Sequence, residues 1–462
     1  MMAMLTAMSS ITRTQLIFFQ NFSVKNTLNI ARFCHFRQFL HSGTNGKLTK
    51  GAHRKAESVW LFTSAGMVSA TIIIGGVTRL TESGLSMVDW RVFREMMPPI
   101  TEEDWLVEFE KYKLYPDYKQ KSSYSEMTLG EFKAIWVMEY AHRMLARSTG
   151  LVFAVPAVYF WLRGRLASHL KVPVLTAGTL FLSQALLGWY MVKSGLESGE
   201  ANSHARISQY RLTAHLSLAV GLYGLLFWYG LSSVFPPSAN YSIAGMKRLK
   251  LLSILSVVST SLTTISGGFV AGLNAGLVYN SWPKFANRWI PTDLLTMNPT
   301  WLNFFDNPTT VQFVHRNLAY MTVALVTATW LVGCRLPLNK RCRRILHAVV
   351  TIAYLQAAIG VGTLLHHVPV SMGALHQSNS LALFSFCLWL LNELRRIPPK
   401  TCWTIGRYGS HPFDQTASPQ NSPSVCHAYW CPLMDGEINQ RAKSVQFSSV
   451  DHRPGMRVDH MA

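Results

Sequence analysis

Along the chain the hydrophobic residues gather into eight runs, over residues 59–79, 134–162, 172–192, 210–234, 250–273, 311–333, 345–365 and 372–393, with polar connections between them. Each run is close to or above the roughly 20 apolar residues that an α-helix needs to cross a bilayer. Inside hydrocarbon a helix satisfies its own backbone hydrogen bonds, so the pattern predicts an all-α polytopic membrane protein with eight transmembrane helices. A chain of 462 residues is long enough for two or three soluble domains, and the apolar runs override that expectation.

Charge orients the predicted helices. The connections after even-numbered runs carry Arg163, Arg165 and Lys171, then Lys247, Arg248 and Lys250, then Arg335, Lys340, Arg341, Arg343 and Arg344, and finally Arg395 and Arg396. By the positive-inside rule these share one side of the membrane with both termini. The connection after the first run holds Glu82, Asp89, Glu95, Glu102, Glu103, Asp104, Glu108, Glu110 and Asp117, and belongs on the other side. Trp90, Trp105, Trp282, Trp289 and Trp301 on that side suit an interfacial aromatic belt or, equally, ordinary loop packing. The net charge of +20 raises the question of nucleic acid, but the basic residues sit in short loops and the N-terminal segment rather than on one amphipathic face, which speaks against it.

Residues 1–56 contain no Asp or Glu, and their Arg and Lys residues are interspersed with Ser, Thr and Phe. That bias fits a mitochondrial transit peptide, with a plain basic tail as the bland alternative. The expected location is therefore the mitochondrial inner membrane, with both termini and the basic loops in the matrix and the acidic loop in the intermembrane space. No cysteine falls between Cys34 and Cys334, so no disulfide can staple the first loop. The Pro-, Ser- and Gln-rich tail 397–462 includes Cys426, His427 and Cys431, and its composition fits a disordered extension better than a metal site.

The runs form an internal repeat. Gly75, Gly76, Gly84, Leu85 and Trp90 recur as Gly267, Gly268, Gly276, Leu277 and Trp282, all offset by 192 residues. His142 and Arg143 match His315 and Arg316, Gln184 and Gly188 match Gln356 and Gly360, and His215 with Trp228 matches His376 with Trp389. The chain thus divides into residues 1–57 (transit peptide and N-terminus), 58–234 (first unit), 235–249 (linker), 250–396 (second unit) and 397–462 (tail). An even number of spans per unit gives two tandem, parallel four-helix bundles, each with room for a cofactor between facing helices. The glycines at 188, 221, 224, 230, 360 and 362 read as close helix packing or as contacts to a cofactor.

His142, His215, His315 and His376 all lie near the start of an even-numbered run, hence near one face of the membrane. Within a unit two of them can approach a common centre from opposite sides, and two axial imidazoles on an iron porphyrin is the simplest chemistry that needs this. A lone membrane histidine is often a hydrogen-bonded interior residue, but a packing histidine has no reason to be duplicated with its partner. Glu139, three residues before His142, shares its helix face, whereas the second unit has Gln312 at the matching place. One site can therefore run proton-coupled chemistry while the other suits electron transfer or structure. The bland alternative for Glu139 is an acid favoured by a helix N-terminus. Arg143 and Arg316 are candidate clamps for haem propionates or side chains that snorkel to the interface, with Arg211 a weaker candidate for the same role.

The stretch GGVTRLTESGLSMVDW (Gly75 to Trp90), the stretch EYAHR (Glu139 to Arg143) and the paired histidines of the second unit closely resemble the haem A synthase family, a mitochondrial cytochrome c oxidase assembly family, over residues 58–396. The resemblance implies oxidation of the C8 methyl of haem O to the formyl group of haem A. It implies a haem b cofactor on His315 and His376, a substrate haem on His142 and His215, and assistance from Glu139. It further implies electrons from a ferredoxin and its reductase, a homo-oligomer, and work beside the farnesyltransferase that makes haem O. Bacterial relatives often carry a cysteine pair in an outer loop, which this chain lacks. Competing readings are a two-haem transmembrane b-type cytochrome that relays electrons and a non-catalytic haem O carrier. A relay normally places its haems near opposite faces, whereas both pairs here are expected near one.

Overall fold

The computed structural model describes residues 50–89, 97–122, 126–197, 207–235 and 244–395, the side chains of 50–54 and 197 excepted. Most of the expected transit peptide, Trp90 and the tail lie outside the described residues. The helices are α1 (Lys50–Leu80), α2 (Glu102–Lys113), α3 (Pro116–Ser122), α4 (Leu129–Leu162), α5 (Lys171–Glu197), α6 (Gln209–Val234), α7 (Met246–Gly272), α8 (Asn303–Asp306), α9 (Pro308–Cys334), α10 (Lys340–Leu365) and α11 (Val370–Glu393). Among the described residues there is no strand, and the protein is all-helical.

Polar residues at the helix starts explain several boundaries. Thr101 with Asp104 and Thr128 with Glu131 form reciprocal capping boxes that open α2 and α4. Asn307 caps α9 just before Pro308, and Asn339 caps α10. The linker turns into α7 through Gly245, whose φ of 86° suits glycine.

Seven helices, α1, α4, α5, α6, α7, α9 and α10, are long and apolar enough to cross a membrane. The eighth expected run is present as α11, which falls outside that set and carries His376, Gln377, Ser378, Asn379 and Ser380 in succession. Its position accommodates that polar stretch. α11 packs against α1, α6, α7 and α10, so it is shielded by neighbours and need not be lipid-compatible around its whole circumference. By contrast α4 and α5 leave Leu151, Val155, Leu162, Leu182 and Leu186 well exposed, a larger apolar surface than a water-soluble protein carries.

The packing follows the repeat. In the first half α1 packs on α4 and α6, α5 on α6, and α4 lightly on α5. In the second half α7 packs on α9 and α11, α10 on α11, and α9 on α10. Between the halves α1 meets α11 as α7 meets α6, and α6 meets α11. Hydroxyl contacts fasten the helices: Thr71 to Thr149 at 3.3 Å in the first half, matched by Thr263 to Thr322 at 2.9 Å in the second. The second half adds Ser256 to Thr329 (3.0 Å) and Ser259 to Thr322 (2.7 Å), each worth about 0.6 kcal/mol in a membrane interior.

α2 and α3, inside the acidic loop, were not expected from the hydropathy pattern. They fold back over the start of α4, where Phe109, Tyr112, Phe132 and Trp136 form a small aromatic core with Met87. Tyr112 donates to Asp117 at 2.6 Å, and Lys121 binds the same carboxylate at 2.9 Å. Burial, with the Asp117 charge beside it, pushes the Tyr112 hydroxyl well above the usual phenol range, so it stays a neutral donor. Trp105 stacks edge-on against Trp136 in this core, so it is loop packing, whereas Trp282, Trp289 and Trp301 are exposed as a belt requires.

At the crossing of α1 and α11, a Cβ on Gly76 would fall 1.7 Å from Oε1 of Gln377, whose amide donates to the Ile72 carbonyl at 2.7 Å. Gly76→Val should therefore destabilise the detergent-solubilised protein by about 1–3 kcal/mol, the usual cost of overpacking. Gly66→Ala, where a Cβ meets open space, is the control. Thermal unfolding should separate the two, and equal midpoints would contradict this account of the crossing.

Candidate functional site: two histidine pairs

α4, α6, α9 and α11 all start at the end of the molecule that carries the connections 81–128 and 273–307, and each supplies one of the four histidines. His215, His315 and His376 lie within about two turns of their helix starts. α4 begins at Leu129, earlier than the apolar pattern suggests, so His142 sits about four turns in. The extra turns carry the aromatic core under α2.

Each imidazole lies against a glycine of a neighbouring helix. A Cβ at Gly75 would stand 2.6 Å from Cε1 of His142, and at Gly188 3.3 Å from Cε1 of His215. In the second half a Cβ at Gly267 would stand 3.4 Å from Cε1 of His315, and at Gly360 2.7 Å from Cε1 of His376. All four rings thus present the same edge to a helix backbone. Gly188 and Gly360 make room for a ring, while Gly224 and Gly230 meet Phe384 and Phe62 in ordinary helix packing. The four rings are half-buried.

The His315 and His376 ring centroids are 6.4 Å apart, with planes at 72°. Two metal–imidazole bonds of about 2 Å and a ring radius of about 1 Å on each side come to roughly 6 Å, so one metal fits between them. Among the described residues no three His, Cys, Asp or Glu side chains converge as a bare metal ion needs. A porphyrin brings four nitrogens of its own, which makes a pair of imidazoles sufficient. Ser266 Oγ lies 2.8 Å from Nδ1 of His315, and the Gln356 amide lies 3.1 Å from Nδ1 of His376. His142 and His215 are within electrostatic reach of one another, and the Nδ1 atoms of both are buried without a hydrogen-bond partner among the described residues.

Beside the first pair, Glu139 is almost fully buried and held on three sides. Arg143 Nη2 donates to its Oε1 at 2.6 Å, while Ser86 Oγ (2.7 Å) and the Met87 N–H (2.8 Å) donate to Oε2. Arg143 also donates to the Met87 and Asp89 carbonyls, at 2.8 and 3.1 Å. The second half repeats this with a neutral residue. Gln312 donates to the Ala275 and Tyr279 carbonyls (2.9 and 3.1 Å), and Arg316 donates to Tyr279 (2.9 Å) and lies 4.1 Å from the centre of the Phe285 ring. Met87 and Tyr279 are the same repeat position. Both arginines are therefore turned inward rather than snorkelling. Nε and Nη1 of Arg316 are buried without a hydrogen-bond partner among the described residues, so the guanidinium has donors to spare. Arg211 lies over the Tyr190 ring at 5.2 Å.

Sequence reasoning missed Ser86, the Met87 backbone and Ser266. The Glu139 to Arg143 spacing of four was a readable signal for an ion pair. The loop partners had no local signal, because they meet the helix only in the folded chain.

Arg143→Leu would strand the Glu139 carboxylate in a buried site and should cost about 3–5 kcal/mol. Glu139→Gln should cost much less, since Gln312 shows that an amide fits the same loop. Equal losses in thermal unfolding of the two variants would contradict the buried-pair account.

The cytochrome oxidase assembly protein family model COX15-CtaA matches residues 58–388. The chain is 48% identical to haem A synthase COX15 of Bos taurus over 341 residues, which are 73% of this chain and 82% of the bovine protein. It is 47% identical to haem A synthase COX15 of Homo sapiens over 358 residues, 77% of this chain and 86% of the human protein. It is 40% identical to the haem A synthase of Nitrosospira multiformis over 361 residues, 78% of this chain and 99% of the bacterial protein. The match takes in both histidine pairs, both inward arginines and the Glu139 network, and the chain belongs to the cytochrome oxidase assembly protein family.

Proposed function

We propose that this protein is a haem A synthase of the mitochondrial inner membrane, an oxidoreductase that converts the C8 methyl of haem O into the formyl group of haem A through successive hydroxylations. The observation that carries the reading is the duplicated histidine pair together with the change between its copies from a buried carboxylate at Glu139 to an amide at Gln312. Names of relatives more than 40% identical support the activity.

In this reading the fold is two tandem four-helix units, with α11 as the eighth span. The matched packing of the two halves supports it. His315 and His376 would hold haem b, with the spare donors of Arg316 available to a carboxylate of it. A bis-histidine haem b supplies one-electron transfer. His142 and His215 orient the substrate haem, with Arg143 fixing the loop above it. Glu139, paired with Arg143, is placed beside that substrate to pass protons to and from the reacting groups, with the Ser86 hydroxyl as its neighbour.

A ferredoxin and its reductase deliver electrons from the matrix side, where the basic loops and both termini lie. The farnesyltransferase that makes haem O supplies the substrate, and the enzyme works as a homo-oligomer. A symmetric electron relay has no use for a carboxylate in one unit alone.

In cells that make haem O, Glu139→Gln should retain bound haem but lower haem A formation by about 10²-fold or more, the scale of a lost acid–base group. His315→Ala should lose the resident haem b. Normal haem A formation by Glu139→Gln would remove Glu139 from the chemistry.

A further inference from the structure

The two histidine pairs differ in what stands behind each ring. Ser266 Oγ lies 2.8 Å from Nδ1 of His315 and donates to the Thr263 carbonyl at 2.8 Å. A serine hydroxyl has one proton. When that proton goes to Thr263, the oxygen accepts, Nδ1 of His315 carries the hydrogen and Nε2 keeps its lone pair for a metal. His376 lies beside the Gln356 NH2, 3.1 Å from Nδ1 and 3.4 Å from Nε2, and Asn379 Nδ2 donating to Gln356 Oε1 at 2.9 Å holds that amide as a donor, so it does not fix the ring's tautomer as Ser266 does for His315.

The first unit replaces Ser266 and Asn379 with hydrocarbon. The counterpart of Ser266 at the 192-residue offset is Ile74, and the residue three after His215, matching Asn379, is Leu218. The Thr71 carbonyl approaches the His142 ring, as the Thr263 carbonyl approaches His315, but no side chain among the described residues bonds Nδ1 of His142. Gln184, the counterpart of Gln356, turns instead to the backbone carbonyl of His215 at 2.9 Å. Nδ1 of His215 is left without a partner among the described residues.

The difference behind His315 is the one that bears on iron. A hydrogen bond at Nδ1 fixes the tautomer and orientation of a ligating histidine and raises its basicity, and losing such a partner costs about 10–100-fold in metal affinity. We propose that Ser266 is a positioning residue that makes the second pair retentive toward haem iron, and that Ile74 at the matching place keeps the first pair exchangeable. A site whose haem enters as substrate and leaves as product needs weaker ligands than one whose haem stays. The inference rests on the proposed haem assignment and adds the cause of the division between cofactor site and substrate site.

The test uses the purified full-length protein and follows haem transfer to excess apomyoglobin, the midpoint potential of the resident haem and its ferric electron paramagnetic resonance. Ser266→Ala should release the resident haem about tenfold faster and raise its midpoint potential, because a less basic ligand favours ferric iron less. Ser266→Thr, which keeps the hydroxyl, should restore both. Ile74→Ser should slow the departure of haem O from the first site by a similar factor. Wild-type protein with a bis-imidazole signature that His315→Ala abolishes, together with unchanged rates and potential in Ser266→Ala, would overturn the inference and leave the haem reading standing. Wild-type protein without that signature would overturn both. If Ser266→Ala lowers the unfolding temperature of the haem-free chain, Ile74→Ser decides alone, and an unchanged haem O departure rate overturns the proposal.

Discussion

Four imidazole rings lie with one edge against the backbone of a neighbouring helix, and glycine is the residue that lets them. At Gly75 and Gly360 a single added carbon would stand under 3 Å from the ring, so neither the rings nor the helices could keep their places. The close approach fixes how α1 meets α4, how α5 meets α6, and how the second half repeats both contacts. It also sets the ring-to-ring distance of His315 and His376, on which the fit to one iron depends. Helix packing and ligand placement are here the same constraint.

The two halves use that frame differently. Each has an inward arginine that ties its helix to the loop after the preceding span, through the carbonyl of Met87 in one and Tyr279 in the other. Next to that arginine one half buries a charge and the other an amide. A buried carboxylate is costly to keep unless paired, and Arg143, Ser86 and the Met87 N–H together offset the cost. The hydroxyls of α7 and α9 and the partners behind His315 and His376 make the second half the more thoroughly fastened one. Proton-coupled chemistry in the first half and a held cofactor in the second is the division of labour proposed from these contacts.

Much of this is legible in the sequence because its signals are long or duplicated. Seven of the eight expected spans stand out by hydropathy, and the repeat singles out four histidines among sixteen. α11 carries a polar stretch that its neighbours, which no local window contains, shield. α2 and α3 lie in a charged loop with little apolar periodicity, although Thr101 and Asp104 at a spacing of three did mark a helix start. The arginines were read as reaching for a ligand or for the interface. Apart from the Arg143–Glu139 pair, their partners include backbone carbonyls more than thirty residues away, which only the folded chain brings near.

The most direct test of the account is the haem content of the purified wild-type protein, extracted and separated by chromatography, with the reduced absorption spectrum of the intact protein alongside. The account predicts haem b together with haem O, a hydroxylated intermediate or haem A. Haem b alone at two per chain would mean an electron relay, and protein that takes up no haem would remove the basis for reading the histidines as iron ligands.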